Sequence, residues 1–439
     1  MKNQNTIAIG LMTFAMFLGA GNIIFPPFLG LEAGTEYVPA MLGFLVTAVG
    51  LPALTLIVFG RLSDSAQLTK ALPQPLAITF WVLLFTAVGP AFAMPRAVTV
   101  AYEMGIKPFV SNDHLMIFSI IFVTATLILA FQRGKLVDYI GKVMTPLLVL
   151  MLAALAVAAF ITPLGPLSTP TLDYQNKAVA SGLIQGYMTM DAIAAVGFGW
   201  IIIKAIRDKG CDSSQGIFKA TLKVTLVYAL LMSACYLALA YVGATSASVA
   251  EGASNGGELL TRYVAAIFGP LGQYLLAGII IMACLTTTVG LTNACAEYYQ
   301  QTFRSPFAIT ATIVVILTGV IANFGLDQIL TVSLPAILIL CPVAIALVLT
   351  AVILPTTKRN SASYVAVVMI SLILGGLDAL SILDLLPQSL VAVLQKYVPL
   401  FEAHASWFLP VVIAIAISKL LSKRTIETEG FYQKATSAD

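Results

Sequence analysis

Two short stretches of this 439-residue chain place glycines, an amide and a carboxylate inside runs that are otherwise apolar. The first is Gly19-Ala20-Gly21-Asn22-Ile23, followed by Pro26-Pro27, within the apolar run 6–31. The second is Met188-Thr189-Met190-Asp191-Ala192, followed by Gly197-Phe198-Gly199, within the run 178–206. Glycine weakens a helical ladder and proline removes an N–H donor. In hydrocarbon an unpaired backbone group costs several kcal/mol, so irregular backbone persists only where protein, water or a ligand satisfies it. A helix broken at mid-membrane offers N–H groups at the start of one half and C=O groups at the end of the other. Those two poles can receive a ligand that carries both an anionic and a cationic group. The N–H groups of Gly21, Asn22 and Ile23 are placed to hold a carboxylate. The carbonyls near Phe17 and Leu18, and those of Met188 and Thr189, are placed to hold an ammonium. Gly19 and Gly21 also suit a plainer role as small helix-contact residues.

Asp191 is the sharpest chemical signal. A carboxylate near the centre of a membrane span costs at least about 2.5 kcal/mol on insertion scales and marks function by default. Three tasks are open to it: tying unwound N–H groups together, ligating a cation, or carrying a proton. Thr286-Thr287-Thr288 is a second signal, following Ala283-Cys284-Leu285. Threonine in a membrane helix often bonds back to its own helix, yet hydroxyls beside carbonyls also suit a hard cation. Phe198 is a candidate wall for an apolar side chain, as is the stretch 88–92. The break in the second stretch falls either at 189–192 or at 197–199, and the former places the carboxylate at the opening. Arg96 lies about 13 Å outward in its run at 1.5 Å per residue. It reads as a structural residue that snorkels or pairs with Glu103, with an outer gate against Asp378 as the alternative. Glu297, at the end of its run, reads as interfacial and exposed.

Membrane helices must position these groups. The chain is 59% hydrophobic and 10% charged, against about 25% charged in soluble domains, so it is a polytopic membrane protein. Twelve apolar runs are long enough to span: 6–31, 38–60, 76–101, 115–131, 139–161, 178–206, 217–243, 271–296, 307–324, 329–354, 364–383 and 407–421. The segments 251–268 and 390–402 read as outer loops or surface helices. With a cytoplasmic N-terminus, eighteen of the 23 lysines and arginines fall inside, including Lys2, Arg133, Lys135, Lys358, Arg359, Lys423, Arg424 and Lys434. Only Lys107, Lys177, Arg262 and Lys396 fall outside, and Arg96 lies within a span. This asymmetry follows the positive-inside rule and supports both count and orientation. The interrupted runs are the first and the sixth, so they cross in opposite directions, as a five-plus-five inverted repeat requires.

The remaining chemistry is sparse. The basic residues are spread over loops and form no nucleic-acid patch. The five cysteines show no CxxC spacing, and the two histidines, His114 and His404, stand far apart, so neither a disulfide framework nor a metal cluster is expected. Hydrophobicity resumes at Ile23 directly after Gly19-Ala20-Gly21, which reads as an uncleaved first span rather than a signal peptide.

The stretches 17–27 and 186–194, with Gly89-Pro90, Pro95-Arg96 and Tyr102-Glu103, resemble the branched-chain amino acid:cation symporters. This LIVCS or BrnQ family is a branch of the amino acid–polyamine–organocation superfamily, and the likeness covers essentially the whole chain. The resemblance implies the leucine-transporter fold, uptake of leucine, isoleucine and valine, sodium coupling and a bacterial inner membrane. It also implies a sodium site in which the hydroxyls of Thr286 and Thr287 and the carbonyl of Ala283 meet the carbonyls of Ala15 and Leu18. Gly19, Ala20, Gly21, Asn22, Ile23, Met188, Thr189, Met190, Asp191, Ala192 and Phe198 would then surround the amino acid.

The resulting expectation is one all-α transmembrane domain over 1–439. It comprises a first repeat at about 6–161, a second at about 178–354, two further helices at about 364–421 and a cytoplasmic tail at 422–439. Both termini would be cytoplasmic. Its partners would be the amino acid, sodium and the bilayer, with no cofactor and no obligate protein partner. A proton-coupled carrier or exchanger using Asp191 is the nearest rival. A membrane-embedded enzyme is the distant one, since only Asp191 and Asp378 offer candidate groups.

Overall fold

The computed structural model describes residues 3–62, 66–132, 142, 144–161, 164–250, 252–253, 255–354 and 361–420, and every regular element among them is helical. Lys2, Arg133, Lys135, Lys358, Arg359, Lys423, Arg424, Lys434, the start of the run 139–161 and the tail 422–439 lie outside the described residues. Six of the described helices are long and apolar enough to cross a membrane, or seven if one bent pair is a single span, and five shorter apolar helices accompany them.

The chain forms two compact units, one of Met1–Ser63 with Val82–Leu334 and one of Asp64–Trp81 with Pro335–Asp439. The first unit begins with α1 (Asn3–Phe17) and α2 (Ala20–Ala33). These are the halves of the first run. Gly19 separates them in an extended conformation, φ −110° and ψ −164°, while Pro26 and Pro27 sit inside α2 without ending it. Gly19 therefore marks the break, while Gly21 and the proline pair lie within α2. Next come α3 (Tyr37–Leu45), α4 (Leu51–Leu62), α5 (Gln74–Thr86), α6 (Ala93–Gly105), α7 (Leu115–Ala130) and α8 (Thr145–Ile161). The sixth run is also two helices, α9 (Ala178–Tyr187) and α10 (Asp191–Asp208), bent by 43°. Met190 turns the corner in the left-handed region at φ 69°, and Gly197 and Gly199 lie inside α10. The break is thus at 188–190.

The helices α11 (Ser214–Ala244), α12 (Gly256–Phe303) and α13 (Phe307–Ala322) follow. α12 kinks at Gly269, φ 58°, so the segment before it is a helix of its own. The residue pattern there suggests an outer loop or surface helix. Instead Leu259, Leu260 and Tyr263 are fully buried, and Gly256 lies so close to α2 that an added Cβ would stand 1.9 Å from the Ile24 carbonyl oxygen.

Glycine sets how near these helices come. A Cβ at Gly30 would lie 1.9 Å from Ala240 O, and one at Gly243 would lie 1.8 Å from Pro27 O, so α2 and α11 touch backbone to backbone. A Cβ at Gly182 of α9 would lie 1.9 Å from Ala40 O of α3. Without a hydrophobic driving force between helices in lipid, small residues that permit close approach carry the packing. The helix-contact role considered for Gly19 and Gly21 belongs to these residues.

Near the C-terminal end of α12, Glu297 is 7% exposed and its Oε1 lies 2.7 Å from Lys204 Nζ of α10. It is a buried partner in an ion pair, not an interfacial residue. Sequence position shows the depth of Glu297 but not the lysine that a neighbouring helix brings to it.

The second unit contains most of α14 (Leu326–Ile353), with α15 (Ser361–Ile382), α16 (Gln388–Tyr397) and α17 (Phe408–Leu420). No residue of α16 is buried, as suits a surface helix. Asp378 is fully buried and its Oδ2 accepts from Ser406 N at 3.2 Å and Ser406 Oγ at 2.9 Å.

Gly243→Ala and Gly30→Ala are each expected to destabilise the purified protein by at least about 1–3 kcal/mol, the range for overpacking. Gly376→Ala, whose Cβ meets nothing within 4 Å, is expected to stay within about 0.5 kcal/mol of wild type. Thermal unfolding in detergent distinguishes them.

Candidate functional site

The end of α1 and the start of α2 face the end of α9 and the start of α10, and one side chain joins the two breaks. Asn22 lies in the first turn of α2. Its Oδ1 accepts from the Gly19 N–H at 3.0 Å, which caps the helix, and its Nδ2 donates to Asp191 Oδ2 at 2.6 Å. Tyr236 of α11 donates its hydroxyl to the same Asp191 oxygen at 2.8 Å and lies in hydrogen-bond contact with Asn22 Nδ2. Asp191 is the first residue of α10, where the positive end of the helix dipole favours a carboxylate. Its own N–H donates to Thr189 Oγ1 at 3.3 Å, and that hydroxyl donates to Gly186 O at 2.8 Å. The carboxylate accepts from the side chains of Asn22 and Tyr236, on α2 and α11, rather than gathering the unwound backbone N–H groups.

The N-terminus of α2 supplies donors one residue earlier than expected. With Gly19 as the cap, the N–H groups of Ala20, Gly21 and Asn22 have no partner in their own helix, whereas that of Ile23 is the first able to bond back to Gly19 O. At the other break, the Met188 and Thr189 carbonyls are engaged. Arg96 of α6 donates to Met188 O from Nη1 at 3.2 Å and to Thr189 O from Nη2 at 3.1 Å. The position of these carbonyls in the chain suits an ammonium, but α9 ends against a guanidinium instead. Arg96 therefore neither snorkels nor pairs with Glu103, which takes Lys107 at 2.6 Å. It reaches inward because Gly21 leaves it room: a Cβ there would stand 2.9 Å from Arg96 Nη2.

Between the breaks is a cavity of about 30 Å³ lined by Gly19, Ala20, Asn22, Thr189, Met190 and Asp191, with Arg96 and Thr287 on its wall. Phe198 and Val88 form part of its apolar side. Phe198 is fully buried and packs edge-on to Phe17 at 5.1 Å. Ala192 is buried in the first turn of α10.

A second polar cluster lies where α12 meets the end of α1. Thr286 Oγ1 is 2.8 Å from Ala15 O and 2.9 Å from Ala283 O. In an unbroken helix Ala15 O would receive the Gly19 N–H, which here serves Asn22 instead. Three oxygens thus converge with one hydroxyl hydrogen among them, an electron-rich arrangement suited to a hard cation. Thr287 Oγ1 is buried with no hydrogen-bond partner and would lie 3.1 Å from a Cβ at Gly19. Leu18 is fully buried at the break. Thr288 points elsewhere, bonding to Leu285 O at 3.0 Å and Thr126 Oγ1 at 3.2 Å. Among the described residues no group of three histidines, cysteines or carboxylates is placed to hold a metal, and no disulfide forms.

Tyr236 is the site residue that the sequence does not mark. A tyrosine within an apolar helix is ordinary, and only its eight-residue spacing from Tyr228, which puts both near one face of α11, hints at a shared direction.

This backbone has the leucine-transporter fold. It superposes on a substrate-bound, outward-open Na⁺-coupled sialic acid symporter with a TM-score of 0.61, covering 95% of this chain and 90% of that one at 13% identity. The sequence then narrows the class. The model of the family described as branched-chain amino acid transport protein matches residues 2–425. The chain is 36% identical to the branched-chain amino acid permease BrnQ of Haemophilus influenzae, over 97% of this chain and 99% of that one. It is 38% identical to the BrnQ permease of Escherichia coli, over 95% of each. The chain belongs to the branched-chain amino acid transport protein family, whose members are membrane-spanning transporters and not enzymes.

Tyr236→Phe removes one donor from Asp191 and is expected to cost about 1.5–3 kcal/mol of stability, the range for bonds to charged groups. Asn22→Ala should cost more, because it also uncaps Gly19. Denaturation midpoints of the two purified variants give the order.

Proposed function

We propose that this chain imports leucine, isoleucine and valine with sodium across a bacterial inner membrane, through twelve spans arranged as a five-plus-five inverted repeat with cytoplasmic termini. The relatives named as branched-chain permeases support the substrate class, and the distribution of lysine and arginine supports the orientation. The observation that carries the reading is the Asn22–Asp191 bond, which brings two interrupted helices to one cavity.

The amino acid lies between the breaks, its carboxylate at the N-terminus of α2 and its side chain toward Phe198. A cavity of about 30 Å³ has room for a water or two, so its walls separate to admit the substrate. Helices α1 to α4 and α9 to α11 rock against the others to expose it alternately. Sodium binds between α1 and α12 on the carbonyls of Ala15, Leu18 and Ala283 and the hydroxyls of Thr286 and Thr287. Because Ala15 and Leu18 end α1, an ion there orders the break that receives the amino acid. Asp191 acts as a tie between helices rather than a proton carrier, since one of its oxygens already accepts from Asn22 and Tyr236.

Thr287→Val is expected to leave stability without sodium unchanged or raised, since it removes a buried hydroxyl that has no partner. It should weaken sodium on the order of tenfold. By reciprocal linkage, leucine affinity then falls at low sodium and recovers when sodium is raised. Thr286→Val should behave alike toward sodium, and Thr288→Val should not. Leucine affinity across a sodium titration reads all three. An equal shift at every sodium concentration would place the ion elsewhere, and uptake into proteoliposomes driven by a proton gradient alone would favour the rival coupling.

A further inference from the structure

Arg96 is 4% exposed and lies at the depth of both breaks. Its hydrogen bonds go to the carbonyls of Met188 and Thr189, and the Phe25 ring centroid is 5.9 Å from the guanidinium carbon. Its Nε is buried without a hydrogen-bond partner. Asp191 lines the same cavity, yet among the described residues no ion pair joins the two. Each is instead held by neutral groups, Asp191 by Asn22 and Tyr236 and Arg96 by the end of α9. The site thus keeps an arginine and an aspartate at one small cavity without a direct ion pair between them. That arrangement is costly unless a third party completes it, because a buried charge needs both pairing and hydrogen bonds.

The positions fit a particular third party. Arg96 Nη2 stands beside Gly21, in the first turn of α2, so the guanidinium adds to the positive end of that helix dipole. The N–H groups of Ala20, Gly21 and Asn22 point from the same turn. Positive potential is therefore concentrated on one side of the cavity, where an anion is stabilised. The hydrogen bonds that Asp191 accepts from Asn22 and Tyr236 both fall on Oδ2.

We infer that Arg96 is a substrate-binding residue that works with Asp191 as a two-ended charge clamp, the guanidinium taking the carboxylate of the amino acid and Asp191 taking its ammonium. This rests on the substrate position proposed above and adds the groups that select an α-amino acid over an amine or a monocarboxylate. Selection follows because a ligand with one charge leaves the opposite end of the clamp buried and unpaired. The side chain, which faces Phe198 and Val88, is read separately.

Binding of leucine, leucinamide and 2-hydroxy-4-methylpentanoate to the purified full-length protein in saturating sodium tests the clamp. Leucinamide lacks the carboxylate and the hydroxy acid lacks the ammonium. Wild type should prefer leucine over both. In Arg96→Gln the ratio of leucine to leucinamide affinity should fall at least tenfold, on the order expected for a hydrogen bond to a charged group. Arg96→Lys keeps the charge and should hold that ratio within about threefold of wild type. In Asp191→Asn the ratio of leucine to the hydroxy acid should fall instead. If Arg96→Gln weakens leucine and leucinamide by one factor, Arg96 only supports the break and the clamp is wrong. The clamp is equally wrong if Asp191→Asn leaves its ratio unchanged, an outcome that can be read even if the Arg96→Gln protein does not fold. Absence of leucine binding to wild type would count against the proposed function itself.

Discussion

The geometry of the site depends on a single amide. Asn22 bonds backward to the Gly19 N–H and across to Asp191, so the break in the first span and the break in the sixth are fixed by the same side chain. Turning the Gly19 N–H toward Asn22 has a second result, since the Ala15 carbonyl loses its helical donor and is met by Thr286. The cavity between the breaks and the threonine cluster beside it thus share one local cause. Gly19 makes this possible through its extended backbone and its lack of a Cβ against Thr287. A continuous helix here would satisfy its own backbone and leave nothing for a ligand.

The second constraint is charge kept at depth. Asp191 and Arg96 are both almost fully buried, and each is placed by a helix end: Asp191 at the start of α10, Arg96 at the end of α9. Those two ends suit the sign of each group, although the Arg96 guanidinium also stands beside the first turn of α2. The protein thereby tolerates the two charges without joining them as an ion pair. Close glycine contacts between α2 and α11 and between α3 and α9 hold the helices near enough for these side chains to reach. Packing and electrostatics are coupled here, because the glycines that bring α11 onto α2 also bring Tyr236 to Asp191.

Much of this is legible in the residues. Gly19, Gly21 and Asn22 mark the first break, and a carboxylate in an apolar run marks the second. The hydroxyl run at 286–288 marks the part of α12 that meets the end of α1. What cannot be read there is direction. The inward reach of Arg96 follows from the rotation of α6 and from the absence of a side chain at Gly21, neither of which a linear spacing contains. A non-glycine residue, Met190, turns the corner of the sixth run, so composition leaves both 189–192 and 197–199 open as its position. Glu297 and the buried helix before Gly269 escape a linear reading for a related reason. Their partners, Lys204 and α2, come from distant parts of the chain.

The most direct test of the two breaks as one binding site is an electron cryomicroscopy map of the protein loaded with leucine and sodium. Leucine is expected between α2 and α10, its carboxylate within hydrogen-bond distance of the Gly21 N–H. Density for leucine elsewhere, with the Asn22–Asp191 bond intact and the space between the breaks empty, would contradict the account.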